Sequence, residues 1–426
     1  MRAQSHITRF YKALLLVATL LCIPACSKSS EEDVIESQID MLESIEIVQL
    51  PNKTVYGLDE PFDIEGLKVI GHFKNETKHP ISITTNHILG FDSSTPNSAL
   101  IVTINYSGKQ ISFNLEVLAL AIKDGVLIKC SETKEVFSIP NTVRIIGKKA
   151  FYSSSVKKVV VPNSVEIIEE EAFFNSKLEE INFPNSLKEI GKEAFYYCRN
   201  LKEIDLSQTQ LTKIKESTFF RNESVTKLVL PTTLTTIEAQ AFLCSKNLTE
   251  LIIPEYVTSI AIEAFRESGI VNLKLPNGLS EIEERAFYIC PNLESVEVYG
   301  PIPTEITNSG KLGHYSFEQA LNLVKFELPR GIKHIGQRII GGNTKLKEFT
   351  VHEDIASIHF AAFGYRGGIE HVLVKAQEPP KAINADLAWY GFPDNVKIIE
   401  VPSEAVIQYK SAKGWKEFTN QIKATQ

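Results

Sequence analysis

The stretch Pro162-Asn-Ser-Val165-Glu-Ile-Ile168-Glu-Glu-Glu-Ala172-Phe173 returns, with substitutions, from about Phe137 to Val401. Its Ala-Phe pair recurs at Ala150-Phe151, Ala194-Phe195, Ala241-Phe242, Ala264-Phe265, Ala286-Phe287 and Ala362-Phe363, with Thr218-Phe219 as a variant. From Phe151 to Phe287 the steps are 22, 22, 24, 23, 23 and 22 residues. A proline stands eleven residues before the Phe in six copies: Pro140, Pro162, Pro184, Pro231, Pro254 and Pro276. Six residues after that position comes an isoleucine, as at Ile146, Ile168, Ile190, Ile214, Ile237, Ile260, Ile282, Ile335 and Ile358. Such periodicity is the mark of a solenoid.

Before each proline lies a short strand, as in Leu178-Glu-Glu-Ile181-Asn-Phe183, Leu201-Lys-Glu-Ile204-Asp-Leu206 and Leu248-Thr-Glu-Leu251-Ile-Ile253. Its last two apolar residues are two apart and share one face, while the residues between them point to solvent. The proline ends the strand because it cannot donate to a ladder. One unit cannot bury its apolar face alone, so neighbours stack into one parallel sheet over a continuous core. The sequence predicts about eleven or twelve turns.

The frame strand-Pro-x-x-aliphatic-x-x-Ile-x-x-x-Ala-Phe resembles the BspA-like leucine-rich repeats, the treponemal class. Gln208 and His352 depart from it at the proline and Ile340 at the Phe, and the step from Phe287 to Phe317 is 30 residues. About eight residues are thus inserted around Tyr299 to Tyr315, so one turn must bulge. The resemblance implies a repeat domain over 120–402 and a surface protein that adheres to host matrix or to other bacteria.

The 426 residues leave room for two or three domains. Formal charge is −7, and removing Arg2, Arg9 and Lys12 with the first 25 residues takes it to −10. That balance argues against nucleic acid, whose phosphates need clustered Lys and Arg. Cys22 and Cys26 belong to the leader. Cys198, Cys244 and Cys290 follow the repeat Phe by two or three residues in the third, fifth and seventh turns. They stand too far apart to bridge and, with Cys130, read as buried free thiols.

Residues 1–25 form an export leader, with a basic start and an apolar run Ala13 to Ile23 too short for a permanent span. Ile23-Pro24-Ala25-Cys26 resembles a lipobox, which implies lipidation of Cys26, an outer-membrane anchor and no other cofactor. The tether 26–42 carries Glu31, Glu32, Asp33, Glu36 and Asp40, resembling the surface-export signals of Bacteroidetes lipoproteins. Over 43–119, short alternating runs broken by Gly, Pro and Asn predict about seven strands. Leu100 to Tyr106 and Ile111 to Val117 flank the hairpin signal Ser107-Gly108-Lys109. This segment is similar to bacterial Ig-like domains, which act as spacers. The fold class expected is therefore mainly β, an Ig-like sandwich followed by a leucine-rich-repeat solenoid. Lys123 to Ile139 should cap one end of the repeats. At the other, 403–426 should form a helical cap, with Ser403 capping a helix Glu404 to Lys410 and Trp415 and Phe418 covering the last layer.

No catalytic or metal-binding motif of known spacing occurs. His334, His352, His359 and His371 fall at different repeat offsets and read as solvated or structural. Three binding candidates remain. The first is the outer face of the strands: Glu180, Asn182, Glu203, Asp205, Lys227 and Glu250. Glu180 and Glu203 should be neighbours about 4.8 Å apart, but an open polar face offers no pocket for a hydrolase. The second is the column after the repeat Phe: Tyr152, Phe174, Tyr196, Phe220 and Tyr288, joined by Tyr197. It reads as a second buried layer or as an exposed aromatic ridge. The third is the inserted loop, with Tyr299, His314 and Tyr315. The expected partner is an extracellular protein. A glycan-binding accessory role needs those aromatics exposed, and a structural envelope role needs no ligand.

Overall fold

The computed structural model describes residues 41–302, 304, 310–364, 367–384 and 391–425. The leader, Cys26 and the tether to residue 40 lie outside them, as do positions 303 and 305–309 of the inserted segment. The fold is mainly β, 32% strand and 4% helix, with a parallel solenoid of about 12 turns.

Each turn is tied to the next along three stretches. The first is the expected strand before the proline, here termed the lead strand. Val136–Ser138, Lys158–Val160 and Glu180–Ile181 pair in parallel, residue for residue. Val159, Ile204, Leu251 and Leu273 point inward and are buried, while Lys158, Glu203, Glu250 and Ile252 face out. This is the alternation of a pleated strand with one face on a core.

The second stretch goes beyond the single sheet expected. The isoleucine column, read as core, also forms strands: Ile145–Ile146, Ile167–Ile168 and Glu189–Ile190 pair in parallel. A run of eight more reaches from Lys213–Ile214 to Lys381–Ile383. The constant six-residue spacing from the proline sets equivalent backbone groups opposite one another, so a second ladder forms.

The third stretch is the Ala-Phe segment. The N–H groups of Lys149, Phe151 and Ser153 donate to the carbonyls of Glu170, Ala172 and Phe174 at 3.4, 2.7 and 2.8 Å. The intervening N–H groups of Ala150 and Tyr152 close tight turns onto Gly147 and Lys149. The Phe N–H points toward the following turn from Phe151 through Phe317. Left-handed backbone flanks each Phe by two residues: φ is +62° and +52° at Lys149 and Ser153, and +57° and +55° at Arg285 and Ile289. A non-glycine residue there costs roughly 1–2 kcal/mol, which the inter-turn hydrogen bonds and the core offset. The eight rings from Phe151 to Phe317 form one buried stack, neighbours 4.6–5.3 Å apart and within 11° of parallel. Burying one such ring stabilises by roughly 1.5–3 kcal/mol.

The chain divides into two compact units. One comprises residues 1–53, 63–90 and 102–113, of which the described part holds the antiparallel strands Leu42–Gln49, Lys68–Phe73 and Lys78–Ile81. The other comprises residues 54–62, 91–101 and 114–426 and contains every repeat. The chain has seven strands between residues 42 and 117. The turn at Ser107 (φ +46°) and Gly108 (φ +79°) joins the strands Asn97–Tyr106 and Lys109–Val117.

A hairpin opens the solenoid. Leu120–Lys123 turns through Asp124 and Gly125, both at positive φ, into Val126–Cys130, which pairs in parallel with Ile145–Ile146. At the far end, Ser403 does not cap the helix. Ser403–Ala405 forms a 3-10 turn before the helix Val406–Ser411, Pro402 holds the cap position, and the Ser403 hydroxyl donates to the Thr425 carbonyl at 3.3 Å. The cause is a last strand, Ile422–Ala424, which pairs with Ile398–Val401 and brings Thr425 alongside. Trp415 is buried in the cap, and its indole N–H donates to the Pro380 carbonyl at 2.8 Å.

Candidate binding surfaces

On the outer face of the lead strands, acids and bases pair between turns. Glu180 pairs with Lys158 at 2.7 Å, Glu203 with Lys227 at 3.7 Å and Glu297 with Lys325 at 3.0 Å. The hydrogen bond from Lys158 holds the Glu180 carboxyl below its usual range. Two candidates on this face are engaged with backbone. The Asn182 amide accepts from the Val161 N–H and donates to its carbonyl, both at 2.8 Å. Asp205 accepts from the Ser207 N–H at 3.0 Å, and its bonds to Ser207 hold its carboxyl low. Lys227 and Glu250 are exposed.

The lead-strand sheet is interrupted in three places among the described residues: after Glu180–Ile181, after Lys227–Val229 and after Lys325–Phe326. Beneath the last two gaps the core is slightly uncovered, with Leu228, Leu230, Phe326 and Leu328 6–9% exposed, against 0–1% for Leu251, Ile253, Leu273 and Leu275. The middle gap opens a cavity of ≈ 630 Å³, walled by Val229, Ile252, Pro254, Tyr256 and Tyr299.

The aromatic column is a stacked ladder, neither a second buried layer nor an open platform. Tyr152, Phe174, Tyr196 and Phe220 follow one another at 5.1, 4.9 and 4.4 Å, within 4° of parallel. Their edges reach solvent while their faces cover one another. Tyr152, at the end, is 47% exposed, and the Lys149 ammonium lies 5.3 Å from its ring. Arg199 and Arg221 flank Tyr197 at 4.7 and 5.6 Å. Tyr288 stands apart, beyond Leu243 and Arg266 in the same column, between the guanidiniums of Arg266 and Arg285.

The structure does not bring the three loop candidates together. Tyr299 lies on the lead-strand side, its hydroxyl donating to the Ile253 carbonyl at 2.6 Å. Tyr315 lies 5.2 Å from the Arg285 guanidinium. His314 lines a cleft of ≈ 420 Å³ with His334 and His359. Those histidines occupy different repeat offsets yet converge, because stacked turns bring neighbouring offsets within reach. The Gln337 N–H donates to His314 Nδ1 at 2.8 Å, fixing the proton of the neutral ring on Nε2, and burial lowers its pKa. His359 is fixed the other way, Nδ1–H facing the Phe360 carbonyl and Nε2 accepting from Asn384. Among the described residues, no group of His, Cys, Asp or Glu is arranged to hold a metal ion, and no helix is long and apolar enough to cross a membrane.

The signature of the BspA type leucine rich repeat region matches residues 121–248 and 235–370, in six copies. The chain belongs to this family. Solved structures similar to it include a leucine rich cell surface protein of Faecalibacterium prausnitzii (20% identity, 78% of this chain and 94% of that one, TM-score 0.32). A second is a leucine-rich repeat protein of Bacteroides ovatus (19%, 76% and 90%, TM-score 0.32). A third is the pneumococcal vaccine antigen PcpA (19%, 76% and 87%, TM-score 0.35). Among curated proteins, pectate lyase L of Thermoclostridium stercorarium is 38% identical over 68 residues, 16% of this chain. The chain spans about 5% of that enzyme's length.

Against the BspA-type frame, Tyr256 is the residue that sequence reasoning missed. Two residues after the proline position the slot holds Thr142, Ser164, Ser186 and Thr233 in four turns, and Gln210, Gly278, Gly331 and Asp354 in others. Ser164, Ser186 and Thr233 donate to the Val143, Val165 and Leu211 carbonyls at 2.7, 2.6 and 2.6 Å, a hydroxyl rung between turns. Tyr256 interrupts that column and is 67% exposed. The signal was an aromatic in a column of small or polar residues.

Proposed function

We propose that the chain is a lipid-anchored bacterial surface protein that binds an extracellular protein, of host matrix or another bacterium, without catalysis. Cys26 serves as the lipid attachment at the outer membrane, 26–42 as tether, 43–119 as an Ig-like spacer, 120–402 as the binding solenoid and 403–426 as its closure. The observation that carries this reading is the lead-strand face, where exposed side chains of both signs stand in register on a hydrogen-bonded scaffold. An open surface of mixed charge suits a complementary protein surface, because such charges set orientation and on-rate. A small substrate instead requires an enclosing pocket. A hydrolase needs one carboxyl with a raised pKa, whereas the Lys158 hydrogen bond lowers that of Glu180.

The glycan-binding alternative loses support from the aromatic ladder. Sugar rings stack on open aromatic faces, and here those faces lie against one another at 4.4–5.1 Å. The short match to a pectate lyase covers too little of that enzyme to bring its activity here.

The test is binding of the full chain to paired arrays of matrix proteins and polysaccharides, beside a Glu180→Lys/Glu203→Lys variant. Protein-selective binding that the variant loses is the expected outcome. Polysaccharide binding that survives those substitutions overturns the reading.

A further inference from the structure

We infer that the gap between the lead strands Lys227–Val229 and Glu250–Ile252 is a docking groove. Its occupant is an extended segment of a partner protein that carries an aromatic or large aliphatic side chain beside a lysine or arginine. This deepens the protein-binding reading and rests on it.

Four observations meet at this place. First, the two strands belong to separate sheets among the described residues, although Lys227–Val229 pairs with Glu203–Asp205 and Glu250–Ile252 pairs with Asn272–Lys274. The two strands nonetheless keep Cα atoms within 8 Å of one another, too close for a third strand between them, so a ligand lies over their outer faces. Second, the gap is apolar and roomy. Its ≈ 630 Å³ lies against Val229, Ile252, Pro254 and Tyr256, with Ile252 57% exposed. The Tyr299 hydroxyl, bonded to the Ile253 carbonyl, fixes one wall. Third, Tyr256 stands where three other turns place a hydroxyl rung, and its ring is turned to solvent instead. Exposed aromatics of this kind are the side chains that dominate binding energy at protein interfaces.

The fourth observation is charge. Glu250 and Glu255 line the gap and enter no ion pair among the described residues, whereas Glu180, Glu203 and Glu297 on the same face are paired. Lys227, the cation on the opposite wall, is engaged by Glu203 at 3.7 Å. Two uncompensated carboxylates beside an apolar floor complement a cationic side chain next to an apolar one.

The probe is a fluorescein-labelled hexapeptide, Gly-Ser-Phe-Ser-Lys-Gly, titrated into the full chain by anisotropy, with counterparts carrying Phe→Ala or Lys→Glu. Either counterpart should bind at least about tenfold more weakly. Glu250→Lys/Glu255→Lys and Tyr256→Ser should each weaken binding of the parent peptide by a similar factor, and Glu404→Lys, an exposed site in the C-terminal closure, should leave it unchanged. Tyr256→Ser guards against a folding artefact. It restores a rung to the Leu234 carbonyl, so its thermal midpoint should hold or rise while binding falls. Equal binding of the three peptides, or a Tyr256→Ser chain that keeps its affinity, overturns the proposal.

The protein array separates this proposal from the wider reading. A chain that binds arrayed proteins but not the peptide, or whose array binding ignores Tyr256→Ser, overturns the groove and leaves the protein-binding surface intact. A chain that binds no arrayed protein overturns both.

Discussion

Replacing Asn222 with serine should stabilise the solenoid. Asn222 stands three residues after Phe219 and is fully buried, and among the described residues neither atom of its amide has a hydrogen-bond partner. Asn343, in the same column, is satisfied. Its Nδ2 donates to the Ala320 and Leu323 carbonyls at 2.8 and 3.0 Å, and its Oδ1 accepts from the Leu346 N–H at 2.9 Å. Ser245 and Ser268, also in that column, donate to the Phe242 and Phe265 carbonyls at 2.8 and 2.6 Å. A serine at 222 would find the Phe219 carbonyl in the same way. An unsatisfied buried amide costs about 1–3 kcal/mol, and a new internal hydrogen bond returns about 0.5–1.5 kcal/mol. The few tens of Å³ vacated, at about 24 cal/mol per Å³, cost roughly 0.5–1 kcal/mol. The expected net is about 1–2 kcal/mol of stabilisation. Urea unfolding followed at the solenoid transition measures it, as the shift in midpoint at unchanged slope. Destabilisation by 1 kcal/mol or more would refute the reasoning, because it would mean that the amide is hydrogen-bonded as Asn343 is.

Three further outcomes follow from the same turns. Burial pushes the thiols of Cys130 and Cys198 up to about 12 and those of Cys244 and Cys290 up to about 11. Dithionitrobenzoate at pH 8 should therefore label none of these four in the folded chain and all four in guanidinium. His352 is buried and held at about 4 by burial and by Arg330, against 6.5 when free. The unfolded chain thus binds more protons as pH falls from 6.5 to 4, so this contribution is complete above pH 6.5 and lost across that window. Glu353, held near 2 against 4.5 by Arg330, adds a separate loss below about pH 4.5. Thermal midpoints against pH should show both losses, and His352→Pro, which restores the usual residue of the slot, should flatten only the first. Ile289, β-branched at φ +55°, occupies the slot of Asn175 at φ +54°. Ile289→Asn should raise stability by about 0.5–1 kcal/mol, because a left-handed β-branched residue is strained by roughly 1–2 kcal/mol and only part of that returns as lost apolar contact. Unchanged or lower stability would place the strain elsewhere.

What the sequence made legible was periodic. The Phe stack, the isoleucine column and the lead strands could be read because each recurs at fixed spacing and each answers to burial. The left-handed slots were hidden because Lys, Ser, Glu, Tyr, Arg and Ile all occupy them, and glycine marks the place only at Gly342. The second ladder was hidden because two-residue strands leave no alternation to count. Of the candidate surface residues, Asn182 and Asp205 look alike from the sequence to any exposed polar pair. Only the structure reveals that Asn182 bonds to the Val161 backbone of the preceding turn and Asp205 to the Ser207 backbone two residues on. The aromatic column was legible as a column, but ring faces are a matter of orientation, which spacing does not encode.

Up to three ladders bind each turn to the next, and this redundancy bears on where a partner can dock. At the middle gap only the lead-strand ladder is open. On the other two sides the same turns stay tied, with Thr236–Ile237 paired to Ser259–Ile260 and the Phe242 N–H donating to the Ala264 carbonyl at 2.8 Å. The gap after Glu180–Ile181 differs. Its step is the 24-residue one, and the second ladder is broken there too, between Glu189–Ile190 and Lys213–Ile214. The floor of the middle gap is therefore held by the other two ladders, so binding there orders little that is not ordered already. Rigid presentation of this kind lowers the entropy cost of association. At the first gap the lead strands lie over a joint with one ladder fewer, where a ligand would also have to fix the two halves of the solenoid against each other. For this reason the middle gap, with Tyr256 and the unpaired Glu250 and Glu255, is the stronger of the two as a place to bind.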